Sequence, residues 1–217
     1  MKYLINDYVV FSVNDREMIG LIKVRNSNNL LGNKTPSYDI LVDEAGEAPL
    51  YVAKHVPEKD IRLLANENTV SWRALELAIK HHIWQKDLAG KPYVLHLSSV
   101  GLLVRKSLKN ISEEDSDKIL SVAYLHDILE DTFIIKENLI ENFGEEIANA
   151  VDCITKRKND NYDDYINRVK GNDLARIVKI CDLEHNSDIS RIGNPTRRDF
   201  DRQKKYKKAI HALVKEE

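Results

Sequence analysis

Cysteine is scarce, long apolar runs are missing and neither sign of charge dominates in this 217-residue chain. Each shortage excludes something. The two cysteines, Cys153 and Cys181, lie in helix-like apolar patterns and read as small buried hydrophobes in a reducing cytoplasm. No uninterrupted apolar stretch approaches the roughly 20 residues that cross a bilayer, so no membrane role is expected. The opening Met1-Lys2-Tyr3-Leu4-Ile5-Asn6-Asp7 turns polar too early for a signal peptide, which points to a cytoplasmic protein. A net charge of −2 gives no electrostatic case for nucleic acid or membranes as partners of the whole chain. There is no Walker-type Gly-rich loop, internal repeat or low-complexity tract.

What is present divides into two periods. Residues 1–66 carry short β-rich runs: Tyr8-Val9-Val10-Phe11, Met18 to Val24, Tyr38 to Val42 and Tyr51-Val52-Ala53. Turn formers separate them at Asn14-Asp15, Gly32-Asn33 and Ala45-Gly46. Closely spaced strands without intervening helices suggest a small antiparallel barrel. The "NDYVVF", "GLIKV" and "VPEKDIRLL" segments resemble an SH3-like barrel, a module that covers another domain, contacts a protein or self-associates.

Residues 67–217 read as an all-α bundle. Thr69 or Ser71 caps a first helix with Ala74, Leu75, Ala78, Ile79 and His82 at helical spacing. Further helices are expected around His96–Ser107, Ile119–His126, Glu145–Thr155, Tyr162–Val169, Leu174–Ile189 and from Thr196 onward. The polar, acidic Ser112–Asp117 stretch reads as a surface insertion. The fold class is thus mainly α: a helical bundle preceded by a small β-barrel.

The chemistry concentrates on four positions, His96, His126, Asp127 and Asp182. Two imidazoles and two carboxylates suit a divalent first-row cation or Mg²⁺ and not a thiolate site. His126 lies one turn after Val122 and two after Ile119, so it points inward with the apolar stripe. Glu130 and Asp131 follow at i+4 from His126 and Asp127. Asp182 and Asn186 share a face of a later helix. So many charges beside an apolar stripe are costly to bury, and a cation offsets the cost.

These residues resemble a known family. "ALELAIKHHIWQKDLAGKPYVLH" contains H-x-x-Q-x-D-x-A-G-x-P-Y-x-x-H, and "AYLHDILEDT" contains L-H-D-x-x-E-D-T. With "FGEEIANAVDCITKRKNDNYDDYINRV" and "LARIVKICDLEHNSDISRI", the chain is similar to HD-domain phosphohydrolases over roughly residues 71–192. It looks most like small alarmone hydrolases, relatives of the Rel/Spo-type enzymes that remove 3′-pyrophosphate from (p)ppGpp. The resemblance implies Mn²⁺ on His96, His126, Asp127 and Asp182. It implies Glu130 and Asp131 as the acidic pair handling water and protons, Asn186 beside the catalytic centre, and His82 and Gln85 near the nucleotide.

The chain departs from the family pattern at Leu97, usually Pro, and in having only Lys86 and Lys91 as cations between His82 and Pro92. Cations for an anionic substrate are sought at Lys156, Arg157 and Lys158, and at Lys179. The basic terminal helix, with Arg197, Arg198, Arg202 and Lys204 onward, reads as a solvated face. Trp84 and Tyr93 are candidates to stack on a base. The expected reaction is hydrolysis of (p)ppGpp to GDP or GTP plus pyrophosphate. The alternatives are phosphomonoesterase action on a 5′-nucleotide, a 3′-phosphonucleotide or NADPH, or a nucleotide-binding interaction module. All four ligand positions lie after residue 90, so a fragment lacking residues 1–66 is expected to keep its ion.

Overall fold

The computed structural model describes residues 2–13, 16–26, 36–42, 51–88 and 90–214. Five strands, β1 (Tyr8–Val13), β2 (Arg16–Asn26), β3 (Ser37–Val42), β4 (Tyr51–Pro57) and β5 (Ile61–Ala65), form an antiparallel sheet in the order β4-β3-β2-β1-β5. The turns expected at Asn14-Asp15, Gly32-Asn33 and Ala45-Gly46 lie outside the described residues.

Strand β1 shows why its sequence is apolar without alternation. Successive side chains leave a strand on opposite faces, and here both faces are covered. Val9 and Phe11 enter a cluster internal to the sheet with Met18, Ile22, Tyr38 and Ile40. Tyr8 and Val10 face the other way and join Ile19, Leu64 and Ala65 in the core of the helical region. Packing against that core is the role the described sheet displays, and nothing in it supports the expected protein contact.

The expected closed barrel is corrected. Strands β4 and β5 are the two edges of the sheet and do not pair. They are nevertheless joined by one 3-10 turn, Glu58–Asp60. Four residue steps reach about 14 Å at most, whereas the edges of a flat five-stranded sheet stand about 19 Å apart. The sheet must therefore curl. Side chains rather than a strand ladder bridge its seam: the Tyr3 hydroxyl donates to the Ile61 carbonyl at 2.6 Å, and the Tyr3 amide donates to the Tyr38 hydroxyl at 3.2 Å.

The helical region contains α1 (Val70–His82), α2 (Val94–Ser107), α3 (Glu113–Leu125), α4 (Ile128–Asp131), α5 (Lys136–Phe143), α6 (Glu145–Ile154), α7 (Tyr162–Lys170), α8 (Asp173–Ser187) and α9 (Arg197–Leu213). Thr69 caps α1, accepting from the Trp72 amide. The carboxylate of Asp117 accepts from the amides of Val70 and Ser71 at 2.8 and 3.1 Å. Ser112–Asp117 is therefore built into the start of α3. Ser112 caps α3, its acidic residues fill the first turn where the helix dipole favours them, and Asp117 anchors α1.

Gly101 on α2 allows Tyr124 on α3 to pass so closely that a Cβ there would overlap the Tyr124 ring. The Tyr124 hydroxyl and Arg105 both donate to the Leu64 carbonyl, at 2.8 and 2.7 Å, tying both helices to β5. Both cysteines are thiols, Cys181 buried and Cys153 half-buried. Among the described residues no helix is long and apolar enough to cross a membrane.

Candidate metal centre and its cavity

The apolar stripe of α3 carries His126 inward, and the helix then breaks. His126 caps the C-terminal end of α3, still in the helical backbone region, and Asp127 sits at φ −105°, ψ 0°, before α4 begins. That bridge region is sparsely populated and frequent in active sites. The continuous helical face expected through Asp131 is thus interrupted, and the break turns the Asp127 carboxylate beside the His126 ring. His96 enters from the first turn of α2 and Asp182 from α8.

The four side chains converge. The Nε2 atoms of His96 and His126 are 3.3 Å apart. Asp127 Oδ2 lies 2.9 Å from His126 Nε2 and 3.8 Å from His96 Nε2. Asp182 Oδ1 lies 3.3 Å from His96 Nε2 and 3.7 Å from His126 Nε2. Donors bound to one ion at about 2.1 Å stand roughly 3.0 to 3.4 Å from one another; His96, His126 and Asp127 form a group compact enough to hold one cation, and Asp182 lies beside both imidazoles. His126 Nδ1 donates to the Ala123 carbonyl at 2.8 Å, which leaves the Nε2 lone pair directed at the cluster.

Electrostatics points the same way. Burial would push His126 down, but the carboxylates of Asp127 and Asp182 outweigh it and hold the ring up at about 9. Burial likewise opposes ionisation of Asp182, yet Lys179 and the two imidazoles keep it well below the usual carboxylate range. The cluster calls for positive charge between the imidazoles and carboxylates, which a bound divalent cation would supply. Around the donors, Lys179 Nζ sits 2.9 Å from Asp182 Oδ2, Asn186 Nδ2 donates to Asp182 Oδ1 at 2.6 Å, and the Tyr93 hydroxyl donates to Asp127.

A cavity of about 360 Å³ opens beside the cluster. Gln85, Glu130, Asp131 and Asn186 line it with His96 and Asp127. Gln85 Nε2 donates to Asp131 at 2.7 Å, and the Lys156 amide donates to Glu130 at 3.0 Å. Burial raises the Glu130 carboxyl, the Lys156 amide partly offsets this, and neighbouring Asp127 and Asp131 raise it further.

Other expected site residues fall elsewhere. His82 is 1% exposed and lies behind the cavity, where Nδ1 donates to Gln85 Oε1 at 2.6 Å. The ring orients Gln85 through this bond. Neither Lys156 nor Arg157 lines the cavity, and Arg157 pairs with Asp152 at 3.1 Å. Lys179 is engaged by Asp182. Trp84 is 67% exposed and away from the lining, while Tyr93 lines the cavity and packs between His82 and His96. The cationic wall comes instead from Lys86, Arg191 and Arg202, with the Tyr206 ring beside them. Arg202 and Tyr206 are one turn apart on α9, a spacing visible in the sequence but submerged in the basic face around it.

No protein-family model matches the chain. The chain is 35% identical over 85 residues to the guanosine-3′,5′-bis(diphosphate) 3′-pyrophosphohydrolase of Borreliella burgdorferi, covering 39% of this chain and 12% of that protein. It is 31% identical over 132 residues to the GTP pyrophosphokinase of Myxococcus xanthus, covering 58% and 16%. The matches thus span a small part of those relatives' lengths. A solved metazoan SpoT ortholog, described as hydrolysing ppGpp and acting in starvation responses, aligns with a TM-score of 0.56 at 23% identity, covering 69% of this chain and 87% of its own. The sequence similarities relate this chain to the HD-type alarmone hydrolases, and the structural likeness shows a shared fold.

Proposed function

We propose that this chain hydrolyses the 3′-pyrophosphate of (p)ppGpp, with Mn²⁺ held by His96, His126, Asp127 and Asp182. In this reading residues 67–217 carry the chemistry and residues 1–66 form a packing cover. The observation that carries it is the gathering of His96, His126 and Asp127 into one candidate metal group, with Asp182 beside both imidazoles, next to a cavity lined by His96, Asp127, Glu130 and Asp131 and by a cationic wall. When bound, such a cation lowers the pKa of a water and neutralises phosphate charge.

The remaining work falls to side chains. Glu130, with its raised carboxyl, is suited to accept a proton from the attacking water. The proton taken by Glu130 is passed on to the departing ribose 3′ oxygen, and Asp131, steadied by Gln85 and through it by His82, orients that exchange. The water oxygen ends on the pyrophosphate and the 3′ P–O bond breaks, leaving GDP or GTP. Arg202 offers phosphate oxygens a charged donor, and Tyr206 offers the base an aromatic face.

The test is a substrate panel with Mn²⁺, containing ppGpp, NADPH and 5′- and 3′-nucleotides. Pyrophosphate release from ppGpp is expected. Orthophosphate release from a monoester, or no turnover of any member, overturns the reading.

A further inference from the structure

His185 neither lines the cavity nor belongs to the four donors, yet it touches the metal cluster from behind. Its Nδ1 lies 2.7 Å from His96 Nδ1. The same Nδ1 lies 3.0 Å from Arg191 NH1, which also donates to the His185 carbonyl at 3.2 Å. Arg191 NH2 in turn donates to Asp87 Oδ2 at 2.8 Å. This chain of contacts runs from the loop after α1, through the segment after α8, to the first turn of α2.

The donor count fixes the proton positions. A guanidinium has only donors and stays charged in a protein. His185 Nδ1, facing Arg191 NH1, must therefore present its lone pair. His96 Nδ1 faces that same lone pair, so His96 must be the donor at Nδ1. An imidazole with its proton on Nδ1 carries its lone pair on Nε2, the atom directed at His126 and Asp182.

We propose that His185 is a positioning residue: held by Arg191 and Asp87, it accepts from His96 Nδ1 and so fixes the His96 tautomer and ring orientation that metal binding requires. The inference rests on the four-donor metal reading and adds to it. It also reassigns Arg191. A cavity-lining arginine invites a phosphate-binding role, but its donors are directed at Asp87 and His185.

Direct titration of Mn²⁺ into the full-length chain, with and without substitutions, tests this without any turnover. His185→Leu removes the acceptor and should weaken Mn²⁺ binding by roughly 10- to 100-fold, the usual cost of losing a partner behind a ligand histidine. His185→Asn places an amide oxygen near the Nδ1 position and should restore affinity to within about threefold of the parent. Arg191→Gln should weaken Mn²⁺ binding in the same direction as His185→Leu. An unchanged Mn²⁺ affinity in His185→Leu overturns the proposal, as does equal damage in His185→Asn. If His185→Leu does not fold, Arg191→Gln decides: unchanged Mn²⁺ affinity with a raised KM makes Arg191 a phosphate ligand and overturns the proposal. A parent chain that takes up no Mn²⁺ overturns the metal reading itself, a result distinct from a parent that binds alongside variants that bind equally well.

Discussion

Among the described residues both regions bury isolated polar atoms without partners, but the helical region alone also gathers several buried titratable groups at one point. The sheet's own cluster is built from Val9, Phe11, Met18, Ile22, Tyr38, Ile40 and their neighbours, and the buried polar side chains nearby, Asp7 and Ser37, each keep an oxygen without a partner. The helical region buries His96, His126 and Asp182 within a few ångströms of one another and surrounds them with Lys179, Asn186, Tyr93 and His185. Scattered single defects are what packing tolerates. A dense, mutually oriented group of charges is costly unless something compensates it, and that contrast supports the proposal that the chemistry resides in the bundle.

The contrast breaks most sharply at the donors. His126→Ala or Asp127→Ala should abolish both Mn²⁺ uptake and hydrolysis, read by metal titration and by phosphate or pyrophosphate release. Retention of a stoichiometric ion in either variant removes the four-ligand assignment. Next come the two acids at the cavity. Glu130→Gln and Asp131→Asn should keep the ion and lose roughly two to four decades of turnover. Because burial raises Glu130 from its ordinary value, its base form is lost as pH falls through that raised value. Turnover should fall on this acid limb, and Glu130→Gln should flatten it. Near-parental turnover in both variants means neither carboxylate takes part in the proton transfer.

Much of this centre was legible in the sequence because helical periodicity ties a residue to a face. His126 after Val122 and Ile119, and Asn186 after Asp182, could be oriented from spacing alone. The break at Asp127 could not, since it arises where α3 ends against the rest of the bundle and no Gly or Pro marks it. His185 follows Cys181 by one turn and looked like any helical histidine. Its significance depends on Asp87 and Arg191, which lie 104 residues apart. Cationic residues misled for a related reason: Lys156 and Arg157 lie off the cavity lining and Lys179 pairs with Asp182, whereas Arg202, itself paired with Asp199, reaches the lining from a distant helix. α5 (Lys136–Phe143) was missed because it is short and Leu139 alone is buried in it. The strands of the sheet were readable, but its curl follows from a connection between edges that periodicity does not record.

Sharpening the comparison requires a purely structural change on the sheet side. Leu64 on β5 is fully buried against the helices. Leu64→Ala should cost about 2–5 kcal/mol in urea-induced unfolding while leaving Mn²⁺ affinity unaltered. A loss of affinity with little loss of stability would instead make the sheet part of the site. The shared core also changes the outlook for a fragment of residues 67–217. It keeps all four donors, but it exposes the apolar face that Tyr8, Val10, Ile19, Leu64 and Ala65 cover, so self-association is expected to limit it.

The smallest expected effect concerns the sheet's one awkward acid. Asp7 is buried, its Oδ2 accepts from the Leu4 amide at 2.8 Å, and its Oδ1 has no partner. Burial raises the carboxyl, with backbone amides only partly opposing it. A raised acid binds its proton more tightly folded than unfolded. The stability it contributes is complete below the unfolded value near 3.8 and is lost as pH rises through the folded value. Asp7→Asn can keep the Leu4 contact without the charge. At neutral pH it should be neutral to stabilising by up to about 1 kcal/mol, and that advantage should shrink toward pH about 3 as the parent carboxyl protonates. Paired urea titrations of parent and variant across that range measure the difference. A constant difference at every pH would mean that the Asp7 carboxyl titrates alike folded and unfolded, and that its missing partner costs the sheet nothing electrostatic.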